Sequence, residues 1–274
     1  MKILITGCVG FIGFHLSKSL LDKNINVFGV DNQNSYYSVK LKKMRLSILK
    51  KYKKFNFSKI DISNYKKLES IFKKNKFDFI VNLAAQAGVR YSVINPKAYI
   101  ESNTLGFFNI LELSRMYNIK KLFYASSSSV YGDQKKFPVN ENIQLFPKNI
   151  YSLTKRNNEE LAEIYSRYYG IKSLGLRFFT VYGEWGRPDM LMIKYILAKF
   201  NNKTFVLNHR GNHFRDFTYV KDVIEILNKL FFSKLKKDHD VINICSNQPL
   251  SVNKILNFID KNVGRPKIKY QKKL

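Results

Sequence analysis

A tyrosine and a lysine four residues apart can form the proton-abstracting pair of a redox enzyme, because this spacing places both side chains on one helix face. Six tyrosines of this chain have a lysine at the fourth following position: Tyr36, Tyr117, Tyr131, Tyr151, Tyr168 and Tyr195. Only Tyr151 and Lys155 begin a long helical pattern shortly after a strand that ends in a serine cluster, residues 126–129. We therefore predict that Ser127, Tyr151 and Lys155 form a catalytic group.

These three side chains could remove a proton from a hydroxyl group while the adjacent carbon gives up a hydride. Free tyrosine is a poor base at neutral pH, because its pKa is about 10. Lowering this pKa by ~3 units requires about 4 kcal/mol of preferential phenolate stabilisation, at about 1.36 kcal/mol per unit. The expected sources of this stabilisation are the Lys155 ammonium and a positively charged nicotinamide ring, while Ser127 relays or orients the proton.

A glycine-rich turn predicts where that nicotinamide cofactor binds. Gly7, Gly10 and Gly13 follow the first predicted strand and open an amphipathic helix, so that the backbone can approach a pyrophosphate at the helix N-terminus. Asp31 ends the next apolar strand, where a carboxylate can accept both ribose hydroxyls of adenosine and would repel the extra phosphate of NADP. We therefore predict NAD, bound by Gly7, Gly10, Phe11, Ile12, Gly13, Asp31, Asn32, Asp61, Ile62, Leu83, Ala84, Ala85, Tyr151 and Lys155.

The elements that position these residues alternate between strand and helix. Strands are predicted at residues 2–6, 26–30, 55–61, 77–83, 122–126, 173–179 and 241–245, and a helix at about 99–116. Several of these strands are too apolar for alternation, which predicts burial on both faces. The pattern favours an α/β fold, a doubly wound parallel Rossmann sheet. We expect an NAD-binding domain at 1–179 and a smaller substrate lobe at 180–274, with the chain returning to the sheet around 217–245.

Composition excludes some classes of function. The 274 residues include 48 Lys and Arg against 20 Asp and Glu, a formal net charge of +28. Most of these cations are scattered lysines, and no basic motif interleaved with aromatic residues supports nucleic-acid binding. No apolar run reaches the ~18 residues of a membrane span. The two cysteines, Cys8 and Cys245, match no metal spacing, and a reducing cytoplasm is the expected location.

Longer motifs make the chain resemble the extended short-chain dehydrogenases/reductases of the NAD-dependent nucleotide-sugar epimerase/dehydratase family, and within it the UDP-glucuronate 4-epimerases. These motifs are DNQNSYY at 31–37, AAQAGVRYS at 84–92, the serine cluster, LRFFTVYG at 176–183, WGRPDM at 185–190 and RDFTY at 215–219. The resemblance implies that Tyr151 deprotonates the C4 hydroxyl of a UDP-hexuronic acid, that hydride passes to NAD⁺, and that it returns to the opposite face of a turned 4-keto sugar. It also implies substrate contacts at Gln86, Arg90, Ser127, Ser128, Thr180, Arg187, Met190 and Arg215.

The residue after Ser127 separates related activities. Dehydratases that resemble this chain have Asp-Glu there, and related decarboxylases typically have a glutamate, whereas this chain has Ser128 and Ser129. Because no acid is available to protonate a leaving hydroxyl, epimerisation is favoured. We hypothesise that Ser127, Ser128 and Thr180 hydrogen-bond the C6 carboxylate and so suppress loss of CO₂ from the β-keto acid intermediate. Simple turn capping is the alternative role of the serines.

Other functions stay open at this point. A UDP-glucose or UDP-N-acetylhexosamine 4-epimerase differs at few positions, and a truncated, non-catalytic NAD-binding relative is a third possibility. The chain departs from the family pattern at Glu184, which replaces a proline, at Cys8-Val9 in the glycine loop, and at its end, where relatives continue for tens of residues. The resemblance also implies a homodimer, formed by helices around 99–116 and 151–169. The second of these carries an apolar stripe of Leu161, Ile164, Tyr165 and Tyr168.

Overall fold

A computed structural model describes residues 1–134 and 138–271, which form strands and helices in close alternation. The described strands are β1 (Lys2–Thr6), β2 (Asn26–Asp31), β3 (Phe55–Lys59), β4 (Phe79–Asn82), β5 (Lys121–Ser127), β6 (Lys172–Phe178), β7 (Thr180–Tyr182), β8 (Phe205–Asn208), β9 (Phe214–Tyr219), β10 (His239–Ile244), β11 (Pro249–Ser251) and β12 (Ile268–Gln271). The described α-helices are α1 (Phe11–Asp22), α2 (Val39–Leu49), α3 (Tyr65–Lys74), α4 (Tyr91–Ile94), α5 (Pro96–Tyr99), α6 (Gly106–Met116), α7 (Ile150–Tyr169), α8 (Leu191–Phe200), α9 (Val220–Phe232) and α10 (Val252–Val263).

Seven parallel strands form the central sheet in the order β10-β6-β5-β4-β1-β2-β3. The order reverses between β1 and β4, because the chain builds outward from β1 in one direction and then continues from β4 in the other. In sheets of this kind, ligands bind in the crevice at the carboxyl ends of the strands on either side of this reversal. The predicted α/β Rossmann fold is confirmed.

Side chains on both faces of the sheet are buried, which explains the continuous apolar runs. Ile3 and Ile5 of β1 pack into one core cluster together with α1 and α9, whereas Leu4 between them packs into a second cluster with α3 and α6. Successive residues of a strand point to opposite faces, so a strand covered on both sides must be apolar throughout.

Two strands are shorter than the sequence predicts. β3 stops at Lys59 rather than 61, because the Asp61 carboxylate instead accepts hydrogen bonds from the backbone N–H (2.9 Å) and hydroxyl (2.7 Å) of Ser63 and so shapes the turn into α3. β4 begins at Phe79 rather than 77, and the ring of Phe77 packs edge-on against Phe28 at a centroid distance of 5.7 Å.

The helix predicted at about 99–116 is divided. α5 ends at Tyr99, a wider π-helical turn spans Ile100–Leu105, and α6 begins at Gly106. The turn directs the buried Asn103 toward the sheet edge, where its Oδ1 accepts from the backbone N–H of Gln86 at 2.7 Å and its Nδ2 donates to the Thr154 hydroxyl at 3.1 Å. Such single π turns are frequent at functional sites.

The chain after β6 alternates between a smaller substructure and the central sheet. β11, β9 and β7 form one small sheet, β12 and β8 form another, and a third core cluster packs α8 and α10 between them. α9 packs against α1, and β10 then pairs with β6 of the central sheet. Among the described residues, no helix is long and apolar enough to cross a membrane.

Candidate active site

A cavity of about 1400 Å³ lies at the carboxyl edge of the central sheet and extends to β7 and the start of β11. Every site residue predicted from the sequence lines it except Arg90, which is exposed at the N-terminus of α4. The structure therefore brings together residues from positions as distant as 7 and 215. The predicted substrate contact of Arg90 stays a prediction.

The glycine positions of the loop leave no space for side chains. Gly7 has a left-handed φ of +70°, and a Cβ at Gly13 would lie 2.1 Å from the carbonyl oxygen of Gly7. The N-cap of α1, Gly10, provides no side-chain hydrogen bond to the first helical turn, so the first backbone N–H groups can bind an anion. This close-packed loop fits the pyrophosphate of a dinucleotide.

Two carboxylates define the adjacent end of the cavity. Asp31 Oδ1 accepts from the backbone N–H of Gln33 at 2.7 Å, and burial raises the pKa of this carboxyl group. Burial would also raise the pKa of Asp61, but hydrogen bonds from Asn32 (2.7 Å) and Ser63 outweigh it and lower the pKa. Asp31 at the end of β2 fits the ribose hydroxyls of an adenosine.

The catalytic candidates meet where β5 and α7 adjoin. A capping box begins α7, because Asn149 Oδ1 accepts from the N–H of Ser152 (2.9 Å) and the Ser152 hydroxyl accepts from the N–H of Asn149 (3.2 Å). This cap fixes Tyr151 in the first turn, with its ring 6.0 Å from that of Tyr99. Lys155 follows one turn later.

Ser127, the last residue of β5, has the capping role that the sequence left as an alternative. Its hydroxyl oxygen accepts from the backbone N–H of Ser129 at 3.2 Å and lies 3.0 Å from the Ser129 hydroxyl. The same hydroxyl faces the cavity next to Tyr151. Turn capping therefore places this hydroxyl at the site and does not exclude a role in chemistry.

The electrostatics of the phenol differ from the prediction. Burial raises the pKa of Tyr151, and the Ser127 hydroxyl and the charge of Arg187 only partly oppose this rise. The Lys155 ammonium is directed to the carbonyl oxygen of Ala125, to which it donates at 2.7 Å. The lowering of the pKa that we assigned to Lys155 is therefore not produced by the protein groups alone, and the contribution of a pyridinium ring stays a prediction.

Burial also lowers the pKa of Lys155 to about 8, and the Glu159 carboxylate one turn further along α7 opposes this shift. Below pH 8 the folded protein holds a buried charge, whereas the unfolded chain keeps this lysine charged up to about 10.5. The unfolded state therefore binds more protons between pH 8 and 10.5, and folding stability rises across this range by about 3 kcal/mol from this group.

Replacing Lys155 by methionine is therefore expected to raise the melting temperature of the cofactor-free protein at pH 7 by several degrees, although the Ala125 carbonyl loses its donor at a cost of about 1 kcal/mol. The gain should shrink as the pH rises from 8 to 10.5. Calorimetry at pH 7 and pH 10 measures both effects. Lys66→Met, at an exposed position of α3, should change neither value, and an equal gain at both pH values would contradict the argument.

The substrate half of the cavity is formed by β7, β9 and the loop before α8. Arg187 donates to Asp189 through Nε at 3.0 Å and through its terminal nitrogen at 2.5 Å, and Thr180 and Met190 line the same region. Arg215 is exposed and also lines the cavity. Glu184 accepts a hydrogen bond from the Tyr219 hydroxyl (2.8 Å), which stabilises the loop at this departure from the family pattern.

A buried ion pair behind the catalytic group was missed by sequence reasoning. The side chains of Glu159 and Arg177 are only 7 % and 4 % exposed and form two hydrogen bonds of 2.8 Å. Ser126 donates to the same carboxylate at 2.5 Å, and Arg177 also donates to the Tyr131 hydroxyl at 2.9 Å. The position of Glu159 four residues after Lys155 was a possible signal, but nothing local identifies Arg177 as its partner.

The sheet order, the glycine loop and the Ser-Tyr-Lys group define an extended short-chain dehydrogenase/reductase. The chain belongs to the NAD dependent epimerase/dehydratase family, whose model matches residues 3–245.

Similar proteins agree with this assignment. Protein CapI of Staphylococcus aureus is 44 % identical over 97 % of this chain and 84 % of its own length. A UDP-glucuronate 4-epimerase of Thermodesulfobacterium geofontis is 38 % identical over 96 % of this chain and 80 % of its own length. The crystal structure of UDP-glucuronic acid 4-epimerase from Bacillus cereus in complex with UDP-glucuronic acid and NAD superposes with a TM-score of 0.90 at 31 % identity, covering 100 % of this chain and 87 % of that chain.

Proposed function

We propose that this chain is an NAD-dependent epimerase that interconverts UDP-glucuronate and UDP-galacturonate through a transient 4-keto sugar. The observation that carries the proposal is that Ser127, Tyr151 and Lys155 open into the same cavity as the glycine loop, with serines in place of acids after Ser127. The similarity to UDP-glucuronate 4-epimerases, in sequence and in structure, supports the substrate. We assign NAD binding to residues 1–179 and UDP-sugar binding to 180–274, except that α9 packs on α1 and β10 belongs to the central sheet.

In this mechanism Tyr151 accepts the proton of the C4 hydroxyl and later returns it. Ser127 orients this proton transfer through its hydroxyl, and the Ser127 hydroxyl and the charge of Arg187 are the protein groups that favour the phenolate form of the base. Bound NAD⁺ supplies reversible hydride acceptance from C4. Arg215 would hold the diphosphate and Arg187 would border the sugar, so that the nucleotide stays bound while the keto sugar turns over; both arginines line the cavity, which supports these roles.

The carboxylate of the hexuronic acid requires separate control, because a 4-keto hexuronate loses CO₂ when its C5–C6 bond aligns with the carbonyl π system. Ser127, Ser128 and Thr180 all line the cavity and offer neutral hydroxyl donors. We propose that they hold the carboxylate away from that alignment.

Replacing Ser128 by alanine should therefore increase the release of UDP-4-keto-pentose severalfold relative to the parent, because one hydroxyl that orients the carboxylate is removed. Chromatography of the nucleotide products measures the ratio of keto-pentose to UDP-galacturonate. Ser70→Ala, in α3 and outside the cavity, is the control and should leave this ratio unchanged. A Ser128 variant with the parental ratio would contradict the carboxylate role.

The decisive experiment for the function is incubation of the purified chain with UDP-glucuronate and, separately, with UDP-glucose, followed by separation of the epimers. We expect UDP-galacturonate from the first substrate. A UDP-glucose 4-epimerase is the second candidate, because the UDP-glucose 4-epimerase of Thermotoga maritima superposes with a TM-score of 0.89 at 28 % identity. Conversion of UDP-glucose alone would favour it, and NAD binding without turnover of either sugar would favour a non-catalytic relative.

We also propose a homodimer, formed by the outer faces of α6 and α7. Of the predicted stripe, Ile164 and Tyr168 are exposed (46 % and 72 %), whereas Tyr165 is buried against α6 and packs on Phe108. Exposed apolar side chains on adjacent helices support an interface between two copies, which light scattering tests. The location that we propose is a reducing cytoplasm, in keeping with a chain that has only two cysteines.

A further inference from the structure

A buried arginine of α2 contacts both the glycine loop and the loop that precedes α8. Arg45 is the largest fully buried side chain of the described residues, with 0 % of its surface exposed. Its Nη1 donates to the carbonyl oxygen of Val9 and to the hydroxyl of Tyr37, both at 2.9 Å, and its Nη2 donates to the carbonyl oxygen of Trp185. Three segments that are distant in sequence therefore meet at one guanidinium group.

This arrangement is costly for the fold alone. Arg45 takes part in none of the ion pairs, defined by an N–O distance within 4.0 Å, that the described residues form. Its Nε has no hydrogen-bond partner among them either. The charge of Asp31 stabilises the guanidinium group but only partly offsets its burial, and all the hydrogen-bond acceptors are neutral groups. A cation buried in this way is disfavoured relative to an apolar side chain of the same volume. Core packing alone therefore does not explain why a guanidinium group is buried at this position.

The acceptors belong to different segments of the site. Val9 is part of the glycine loop, and its N–H donates to Asp31 at 3.3 Å. Trp185 begins the loop that leads to α8, with a left-handed φ of 56° and its ring packed on Phe14 at 5.5 Å. We call residues 185–190 the tryptophan loop. Arg45 thus joins the cofactor half of the cavity to the tryptophan loop.

The tryptophan loop carries the contacts that reach the substrate half. Arg187 lines the cavity, and its charge acts on the phenol of Tyr151. Asp189 holds this arginine and accepts from the Tyr36 hydroxyl at 3.1 Å, and the Arg187 guanidinium lies over the Tyr36 ring at 5.6 Å. Tyr36 and Tyr37 are consecutive, so the β2–α2 loop contacts both Arg45 and the tryptophan loop. A shift of Trp185 would therefore move the cation beside the catalytic tyrosine.

We propose that Arg45 is a positioning residue that couples the two binding events, by holding the tryptophan loop in its substrate-binding position when the glycine loop is in its cofactor-binding conformation. The inference rests on the proposed function only in that the cavity takes NAD and a UDP-sugar. By linkage, NAD⁺ and UDP then strengthen the binding of each other by the same factor.

The test measures this factor directly. The dissociation constant of UDP is determined by calorimetry for the full chain with and without saturating NAD⁺. We expect UDP to bind at least ~5-fold tighter with NAD⁺ in the parent, the lower end of typical coupling between sites. In Arg45→Lys the coupling factor should fall below ~2. The ammonium group keeps the charge but lacks the two terminal guanidinium nitrogens that reach the carbonyl oxygens of Val9 and Trp185. Lys43→Met, at an exposed position of the same helix, should keep the parental factor.

Trp185 is the single tryptophan of the chain, so its fluorescence reports the tryptophan loop without a label. Its emission should shift to longer wavelength in Arg45→Lys while the circular dichroism spectrum stays that of a folded protein. Tyr37→Phe removes one acceptor without changing the core volume and should give an intermediate factor. If Arg45→Lys does not fold, the coupling factor of Tyr37→Phe tests the proposal in its place.

A parental factor of 1, or a folded Arg45→Lys protein with the full parental factor and unshifted emission, would overturn the proposal. An unchanged factor in Tyr37→Phe would overturn it where Arg45→Lys does not fold. None of these binding measurements depends on turnover. Coupling without formation of UDP-galacturonate would refute the proposed function and leave the role of Arg45 standing.

Discussion

Replacing Tyr151 by phenylalanine is expected to lower the turnover number for UDP-glucuronate by about 10²- to 10⁴-fold, the typical contribution of a positioned general base. The ring keeps its packing against Tyr99 at 6.0 Å, so the fold and the affinity for NAD⁺ should change little. Only the hydroxyl next to Ser127 is removed. Initial rates of UDP-galacturonate formation and calorimetric titration with NAD⁺ measure the two effects separately.

Tyr168→Phe is the matched control, because Tyr168 lies on the same helix and also has a lysine four residues later, Lys172 of β6, but is 72 % exposed. It should retain the parental rate. Undiminished epimerisation by the Tyr151 variant would refute the mechanism, whereas an equal loss in both variants would mean that α7 tolerates no such change and that the assignment of the base is wrong.

Replacing Glu159 by alanine should cost about 3–5 kcal/mol of unfolding free energy, because it leaves the buried guanidinium of Arg177 without its carboxylate. The same change removes the acceptor of the Ser126 hydroxyl, directly before Ser127, and we therefore also expect the turnover number to fall. Urea unfolding followed by circular dichroism gives the free energy, and initial rates well below the melting temperature give the turnover number.

Glu160→Ala provides the comparison within the same helix. Glu160 forms an exposed ion pair with Arg156 at 2.9 Å, and exposed pairs contribute about 0–1 kcal/mol. Equal destabilisation by the two variants would contradict the role of the buried pair. Replacing Glu159 by leucine and Arg177 by methionine together should recover part of the stability, since neither charge is then left unpaired, but should not restore turnover.

Much of the active site follows from the sequence because its signals are local. A Cβ at Gly10 or Gly13 would clash with the carbonyl oxygen of Gly7 within the same turn, and Asp31 closes the strand that follows. The spacing of Tyr151 and Lys155 needs only a helix, and the serine cluster needs only a strand that ends before it. Parallel strands share one carboxyl edge, so residues after β1, β2, β4 and β5 converge without further information.

The electrostatic environment of those residues depends on burial, which no local pattern specifies. The raised pKa of Tyr151 and the lowered pKa of Lys155 both follow from the depth of α7 under the surrounding structure. The π-helical turn at Ile100–Leu105 likewise serves a contact between Asn103 and Gln86, 17 residues apart, rather than any preference of its own sequence.

By itself, then, the amino-acid sequence determined the sheet, the cofactor loop and the identity of the catalytic candidates, because periodicity and short spacings encode them. Only the tertiary structure decided which partner each buried charged group finds. Arg177 pairs with Glu159, and Arg45 donates to the carbonyl oxygen of Trp185. The physical reason is that a charge removed from water must find its partner wherever the packed chain brings one, at any distance along the sequence.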